Sequence, residues 1–442
     1  MKEQVAGRLS AGREPENAVW TRVGPGTPAG EYFRRFWLPV AMTERVEDLP
    51  LRVRILGEDL VLFRDRGGRL GLLHAHCSHR GTSLEFGIIG ETGIRCCYHG
   101  WLYDIDGTIL ETPGEPETSR IAGHIFHGAY PLREHRGLVF AYLGPPEARP
   151  PFPVLDSIDQ PDDELVPYAI HSPCNWLQVT ENAMDPFHSV FLHARVTGAQ
   201  FKELAAFAEL PIPKWHERPF PGFFYTNPRR VGDHVWVRLH DYLLPTLVQN
   251  GSLFEEAATS KYFGRGGLTR WVVPIDDTNS VMMAWRHFND RDDPKGVGRR
   301  DAIGHESVDF YGQTKDRPYE LRQRNPGDYD AWVSQGAIND HGREHLGATD
   351  RGVAMLRRKL RDEIDGLAAG QAPVQPFAAT GEHVHTYAGD VVLRIAKGND
   401  DRKLIAAVAD RVAEIMVGGD AYAGADRVAY LERGMRALEA EY

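Results

Sequence analysis

The 442-residue chain carries 51 basic and 62 acidic residues, a net charge of −11, so no basic surplus exists to neutralise phosphates and nucleic acid is not expected as a partner. At 42% hydrophobic and 26% charged residues it has the composition of a globular protein, long enough for two or three domains. Four cysteines make no disulfide framework, the start MKEQVAGRLSAGREPENAVW holds no signal-like apolar run, and no stretch nears the roughly 18 apolar residues of a membrane span, so a cytoplasmic, membrane-free location is expected.

In chain order, EYFRRFWLPVA (31–41) reads as a short helix running into a strand. From Arg52 to Leu143, short apolar runs alternate with turn signals: RVRILGEDLVLFRD, RGGRLGLLH, GIRCCYHGWLYDIDGTIL and GLVFAYLG. These are strands joined by tight turns. The proline-rich GPPEARPPFPVLD (144–156) marks a boundary. The expected division is an N-terminal segment 1–45, a β domain 46–155 and a second domain 156–442. In the second part NWLQVTENAMDPFHSVFLHA (175–194) reads mostly as helix, and HVWVRLHDYLL, TRWVVPI and SVMMAWRHF read as strands. Val353, Leu356, Leu360 and Ile364 recur at helical spacing, and helical patterns over 402–417 and 425–441 close the chain. The fold class is therefore α+β.

Two loops concentrate the metal-binding residues. Cys77 and His79 form a C-x-H arm, and Cys96 and His99 a C-x-x-H arm. Structural zinc accepts two cysteines and two histidines, but usually with like residues on one arm. One thiolate and one imidazole per arm suits a [2Fe–2S] cluster of Rieske type, in which a pair of cysteines holds one iron and a pair of histidines the other. Gly81 and Gly100 flank the arms and permit close approach. Cys97 and Cys174 are expected as buried small residues.

A second constellation lies in ENAMDPFHSVFLH: Asn182, Asp185, His188 and His193. Two histidines and a carboxylate around open positions form the ligand set of non-haem Fe(II) oxygenases. On a regular helix His188 and His193 stand about 140° apart. They share a metal only if the helix bulges or breaks near Val190. Asp185 and His188, at i and i+3, share a face.

The spacing C-x-H-x16-C-x-x-H-G-W together with N-x-x-D-x-x-H-x4-H resembles the Rieske non-haem iron ring-hydroxylating oxygenases, over about residues 20–360. It differs from respiratory Rieske proteins, since Thr82 and Tyr98 replace their second cysteine pair. The segment EHLGATDRGVAMLRRKL (344–360) resembles the phthalate, phenoxybenzoate and O-demethylase branch. The resemblance implies an all-β Rieske domain on a helix-grip catalytic domain with an antiparallel sheet. It implies a Rieske cluster on Cys77, His79, Cys96 and His99, and Fe(II) on His188, His193 and a downstream carboxylate, Asp350, with Asp340 as second choice. Asp185 and Asn182 would serve catalysis, Asp185 by accepting the free N–H of His188. Implied partners are O2, an aromatic substrate, a separate NAD(P)H-dependent reductase with or without a ferredoxin, and further copies of the chain in a trimer or multiple of trimers. No glycine-rich nucleotide fingerprint occurs in the chain, which places the reductase on another polypeptide. An aromatic carboxylate calls for an arginine in an apolar pocket; Arg238, Arg270 and Arg286 lie in strand patterns, with His240 and His287 as further lining candidates. Trp101, two residues after His99, has no hydroxyl for a cluster sulfur, so a low reduction potential is expected. Rival readings are an electron carrier without oxygenase activity and a zinc-stabilised binding protein.

Overall fold

The computed structural model describes residues 17–158, 160–195, 205–218, 220–251, 259–293, 296, 298, 300–303, 317–375 and 383–442. Three small antiparallel sheets build the N-terminal part. Trp37–Met42 pairs with Leu138–Tyr142, which pairs with Leu132–His135. Leu51–Ile55, Glu58–Arg64 and Leu70–His74 form the second sheet, and Ile88–Ile89, Ile94–Arg95, Leu102–Tyr103 and Ile109–Glu111 the third. A segment ending at residue 45 would cut the strand Trp37–Met42 from its sheet. The helices before it, Ala18–Thr21 and Pro28–Phe33, pack instead toward the second part: the indole Nε1 of Trp176 donates to the Trp20 carbonyl at 3.0 Å, and Phe33 meets the Trp176 ring edge-on at 4.7 Å.

The second part is an eight-stranded antiparallel sheet. Its order is Glu164–Ser172, Asn279–Phe288, Lys261–Asp276, Leu247–Gly251, His234–Leu243, Gly222–Val231 and Lys214–Glu217. The eighth strand, Gly389–Arg394, pairs with both His234–Leu243 and Lys261–Asp276, and so continues the line of Leu247–Gly251 between them. The register shifts at Asn250/Gly251, where one strand hands over to the other. The C-terminal residues, whose role is not legible from their pattern, thus complete the sheet.

Two layers of apolar contacts flank this sheet. On one side Val235, Val237 and Leu239 join Ile405, Val408, Val412, Met416, Leu431 and Met435 of the helices Asp401–Gly418 and Gly424–Ala440. On the other, Leu356, Leu360 and Ile364 of the helix Arg351–Ala368 enter the main core, which runs on into the N-terminal sheets. Phe140 meets Trp271 at 5.3 Å, and Trp271 meets Trp285 at 5.2 Å. The hairpin tip Leu56–Gly57 donates its amides to the carbonyls of Pro274 and Ile275 at 3.0 and 2.9 Å. Among the described residues no helix is long and apolar enough to cross a membrane.

Candidate functional site

The two Cys/His arms close on each other at the tip of the N-terminal part. Each ends in a turn in which a glycine amide bonds the cysteine carbonyl: Gly81 to Cys77 at 2.8 Å and Gly100 to Cys96 at 3.1 Å. Both glycines have positive φ, 76° and 75°, which a side chain would strain. Cys77 and Cys96 are buried in a small apolar cluster with Trp101 and Tyr103. The His79 and His99 rings stand 4.5 Å apart, nearly perpendicular. His79 Nδ1 is buried without a hydrogen-bond partner among the described residues, as an atom reserved for a metal would be. Thiolates inside and imidazoles outside are the donor set of a Rieske cluster. Cys97 is exposed, contrary to expectation, whereas Cys174 is buried.

The surroundings of the arms hold features that the motif does not announce. Trp101 lies flat on His79, 4.7 Å away and 5° from parallel, so it shields the imidazole. Tyr103 brings a hydroxyl to a ligand sulfur instead, its Oη 2.9 Å from Cys77 Sγ. His127, from a separate loop, is 1% exposed, and burial pushes its pKa down to about 4.

The second constellation sits where the helix Trp176–Glu181 breaks. Asp185 precedes Pro186 and is extended (φ −107°, ψ 96°), as pre-proline sterics require. Helix resumes at His188–Val190 and passes into a π-helical turn over Phe191–Arg195. That turn closes over more residues than an α-helical one, so it takes up the surplus rotation between His188 and His193, whose ring centroids are 5.2 Å apart.

The third corner is Asp328, at the start of the helix Asp328–Val333. Its Oδ1 lies 3.4 Å from His188 Nε2 and 3.2 Å from His193 Nε2. Two ligands at right angles on one metal, with bonds of about 2.1 Å, stand about 3 Å apart, so the three atoms fit one face of an octahedral ion. Burial holds His188 below its usual range against the pull of Asp328, which favours the neutral, lone-pair-bearing imidazole. The structure does not bring Asp350 to this place. Its Oδ2 accepts the Gly347 amide at 2.7 Å before the helix Arg351–Ala368, and it is absent from the cavity wall. Asp340 likewise caps a turn, accepting Gly342 N–H at 3.0 Å, and pairs with Arg343. Sequence reasoning missed Asp328 because all three aspartates stand at helix or turn starts, and only the fold selects among them.

Asn182 donates to Asp328 Oδ1 at 3.1 Å, so it steadies the carboxylate. Asp185 is engaged differently from expectation. Its main-chain carbonyl, not its carboxylate, accepts the Nδ1–H of His188, whose Nδ1 is 3.7 Å from Asp185 Oδ2. Asp185 Oδ1 caps the following turn through the amides of Phe187 and His188. This leaves Nε2 of His188 facing Asp328. A second acidic cluster, Glu181, His341 and Glu344, is filled by Arg357, which bonds both glutamates.

A cavity opens beside the triad. The sheet provides its far wall in period-two steps: Tyr225 and Asn227, Arg238 and His240, Leu268 and Arg270, Met282 and Arg286. All three candidate arginines and His240 therefore face it. His287 does not; its ring bonds Thr269 at 2.9 Å and Asp163 at 3.2 Å. Arg238 donates to the Gly251 carbonyl at 2.7 Å and faces buried Asp390 at 3.7 Å, and burial lifts Asp390 to about 6. His240 stacks on Tyr225 at 4.5 Å and meets the Asn250 amide at 2.6 Å. Burial, then the nearby arginines, keep His240 well below its usual range and hence neutral. Arg270 has no side-chain hydrogen bond or ion pair among the described residues.

A model of the Rieske [2Fe–2S] domain matches residues 36–124. The chain is 46% identical over 400 residues to the tert-butanol monooxygenase / tert-amyl alcohol desaturase oxygenase subunit of Aquincola tertiaricarbonis, spanning 87% of this chain and 84% of that one. It is 38% identical over 398 residues to the phenoxybenzoate dioxygenase subunit alpha of Ectopseudomonas oleovorans, spanning 85% and 90%. Of solved structures, dicamba monooxygenase bound to dicamba aligns with a TM-score of 0.58 at 18% identity, over 76% of this chain and 99% of that one, a likeness of fold.

Proposed function

Because the chain belongs to the Rieske non-haem iron oxygenases, as a terminal oxygenase subunit with a [2Fe–2S] cluster and a mononuclear iron, we propose that it hydroxylates or O-demethylates an aromatic carboxylate. In this reading Cys77, His79, Cys96 and His99 would hold the cluster, and His188, His193 and Asp328 would hold the iron. When bound, the iron would supply O2 activation and the cluster electron transfer, with a separate NAD(P)H reductase as the electron source. The chain's own residues orient and exclude. Asn182 fixes the Asp328 carboxylate, the Asp185 carbonyl fixes the His188 ring, and the sheet wall binds the substrate.

The observation that carries the substrate class is Arg270. A half-buried guanidinium in a cavity wall without a counter-ion gains from a ligand that brings one. Arg238, by contrast, already has Asp390. A carboxylate on Arg270 would place the rest of an aromatic acid against Leu268 and Met282, toward the triad. The phenoxybenzoate relative is named for such an acid, whereas the relative from Aquincola tertiaricarbonis is named for neutral alcohols.

The test is turnover with a reconstituted reductase, products identified by mass, on aromatic acids, their methyl esters and tert-butanol. Acids should be oxidised and esters not. Exchange of Arg270→Gln should raise KM for acids about 10–100-fold, the worth of a charge-assisted pair. Oxidation of tert-butanol with no acid accepted would overturn the carboxylate reading. We further propose that the chains assemble as trimers or multiples of them, with the cluster of one chain serving the iron of the next through His99 and Asp185.

A further inference from the structure

His127 lies outside both Cys/His arms, yet it touches the surroundings of each. It sits in the loop that returns from the third N-terminal sheet. There its backbone is pinned: His127 N donates to the Gly107 carbonyl at 3.2 Å. A Cβ on Gly107, at φ 88°, would meet the His127 carbonyl oxygen at 1.9 Å, so this approach tolerates only glycine.

The ring is equally constrained. Nε2 is 2.9 Å from the carbonyl oxygen of His74. A carbonyl only accepts, so Nε2 carries the hydrogen and Nδ1 holds the lone pair. Nδ1 then accepts the Ser78 hydroxyl at 2.7 Å, and Ser78 stands between the two ligands of the first arm, Cys77 and His79. The ring also packs on Tyr103, with centroids 4.4 Å apart and planes tilted by 39°. Tyr103 follows the second arm and is fully buried. Its hydroxyl is 2.9 Å from Cys77 Sγ. A sulfur that ligates iron as thiolate has no hydrogen to give, so Tyr103 must be the donor in the loaded protein.

We propose that His127 is a positioning residue for the reduction potential of the cluster, because its ring holds the Tyr103 hydroxyl on the Cys77 sulfur while its Nδ1 anchors Ser78. A hydrogen bond to a ligand sulfur stabilises the cluster more when an added electron has raised the sulfur's negative charge. The bond therefore raises the midpoint, and a phenol that rocks away gives part of that rise back. Two independent observations meet here: the doubly bonded, buried imidazole and the short contact between hydroxyl and sulfur.

The test uses the holoprotein, with the midpoint measured by spectroelectrochemical titration, and cluster content checked by visible absorbance and iron analysis. Tyr103→Phe, which deletes the donor, should lower the midpoint by about 59 mV if the reduced-to-oxidised ratio at fixed potential falls tenfold. His127→Leu should lower it in the same direction by a smaller amount. In the Tyr103→Phe background the same exchange should add little, since there is no hydroxyl left to position. His127→Phe keeps a ring against Tyr103 and should restore most of the midpoint. If His127→Leu does not retain the cluster, His127→Gln, which keeps hydrogen bonding but has no ring, replaces it and must show the same loss. An unchanged midpoint in a fully loaded His127 variant overturns the proposal. So does a shift that is equally large with and without the Tyr103 hydroxyl.

Discussion

Replacing Asp328 by alanine separates the fold's choice of third iron ligand from the one suggested by resemblance. Asp328 Oδ1 stands 3.4 and 3.2 Å from the two Nε2 atoms and accepts Asn182 Nδ2 at 3.1 Å. Its removal takes away one of three protein ligands and the only carboxylate among them. Loss of a mere outer-shell partner costs about 10–100-fold in metal affinity, so a direct, charged ligand should cost at least the upper figure. Iron should fall from about three to about two atoms per chain, with the cluster absorbance intact, because its ligands lie on other elements. The Asn182 amide loses its acceptor, worth roughly 1–3 kcal/mol, so the melting temperature should drop by only a few degrees. Asp350→Ala removes one exposed bond to Gly347 N–H, at 2.7 Å. It should keep all iron and most activity. Iron analysis, visible spectra and product formation on the same preparations decide the matter. A folded Asp328→Ala protein that keeps its third iron, alongside an Asp350→Ala protein that loses it, would refute the geometry.

Other outcomes follow from the same contacts. Burial raises Glu58, but hydrogen bonds from His74 and Tyr130 and the Arg34 guanidinium outweigh it and hold the carboxyl at about 2, against an ordinary 4.5. A depressed carboxyl stabilises the fold above its unfolded pKa and loses that contribution as pH falls, so between pH 4.5 and 2 the stability of Glu58→Gln should vary less with pH than that of the parent; parallel acid limbs in thermal melts would contradict this. Alkylation of the native, cluster-loaded protein should modify Cys97 alone, since Cys174 is buried and its thiol pushed up to about 12; peptide mapping that finds Cys174 labelled first would show the packing to be wrong. Mixed assemblies of His99→Ala and His188→Ala chains, each inactive alone, should regain activity if electrons cross between chains through His99 and Asp185, and verified mixed trimers that stay inactive would place transfer within one chain.

Much of the site was legible because its residues are close in sequence. The arms of the cluster are local loops, and their spacing carries the chemistry. The mismatch between a five-residue separation and helical geometry required a distortion near Val190, and a π-helical turn lies at Phe191–Arg195. What was illegible is set by contacts remote in sequence. Asp328 reaches the histidines because Gln178 Nε2 bonds the carbonyls of Trp332 and Gly336 at 2.7 and 2.9 Å, tying the two segments together. Tyr103 and His127 gain their roles from a loop closure that no periodicity encodes.

The sheet wall shows how a pattern can be visible while its meaning is not. The run VWVRLH alternates, placing Val235, Val237 and Leu239 on one face and Arg238 and His240 on the other. Read alone, that alternation describes a half-exposed strand with its polar face in water. The C-terminal helices cover the apolar face, but the polar face is covered too, by the segment bearing His188 and His193 and by Asp328. A cation on a doubly covered sheet has fewer waters around it, so an internal anion or a ligand stabilises it. Arg238 has Asp390 at 3.7 Å and the Gly251 carbonyl at 2.7 Å. Arg270, two residues beyond Leu268 on the neighbouring wall, has neither, and the cavity it faces leads to the triad. The alternation thus locates the substrate wall only after the coverage of both faces is known, and the unequal provision of counter-ions then singles out the arginine that a substrate carboxylate would meet.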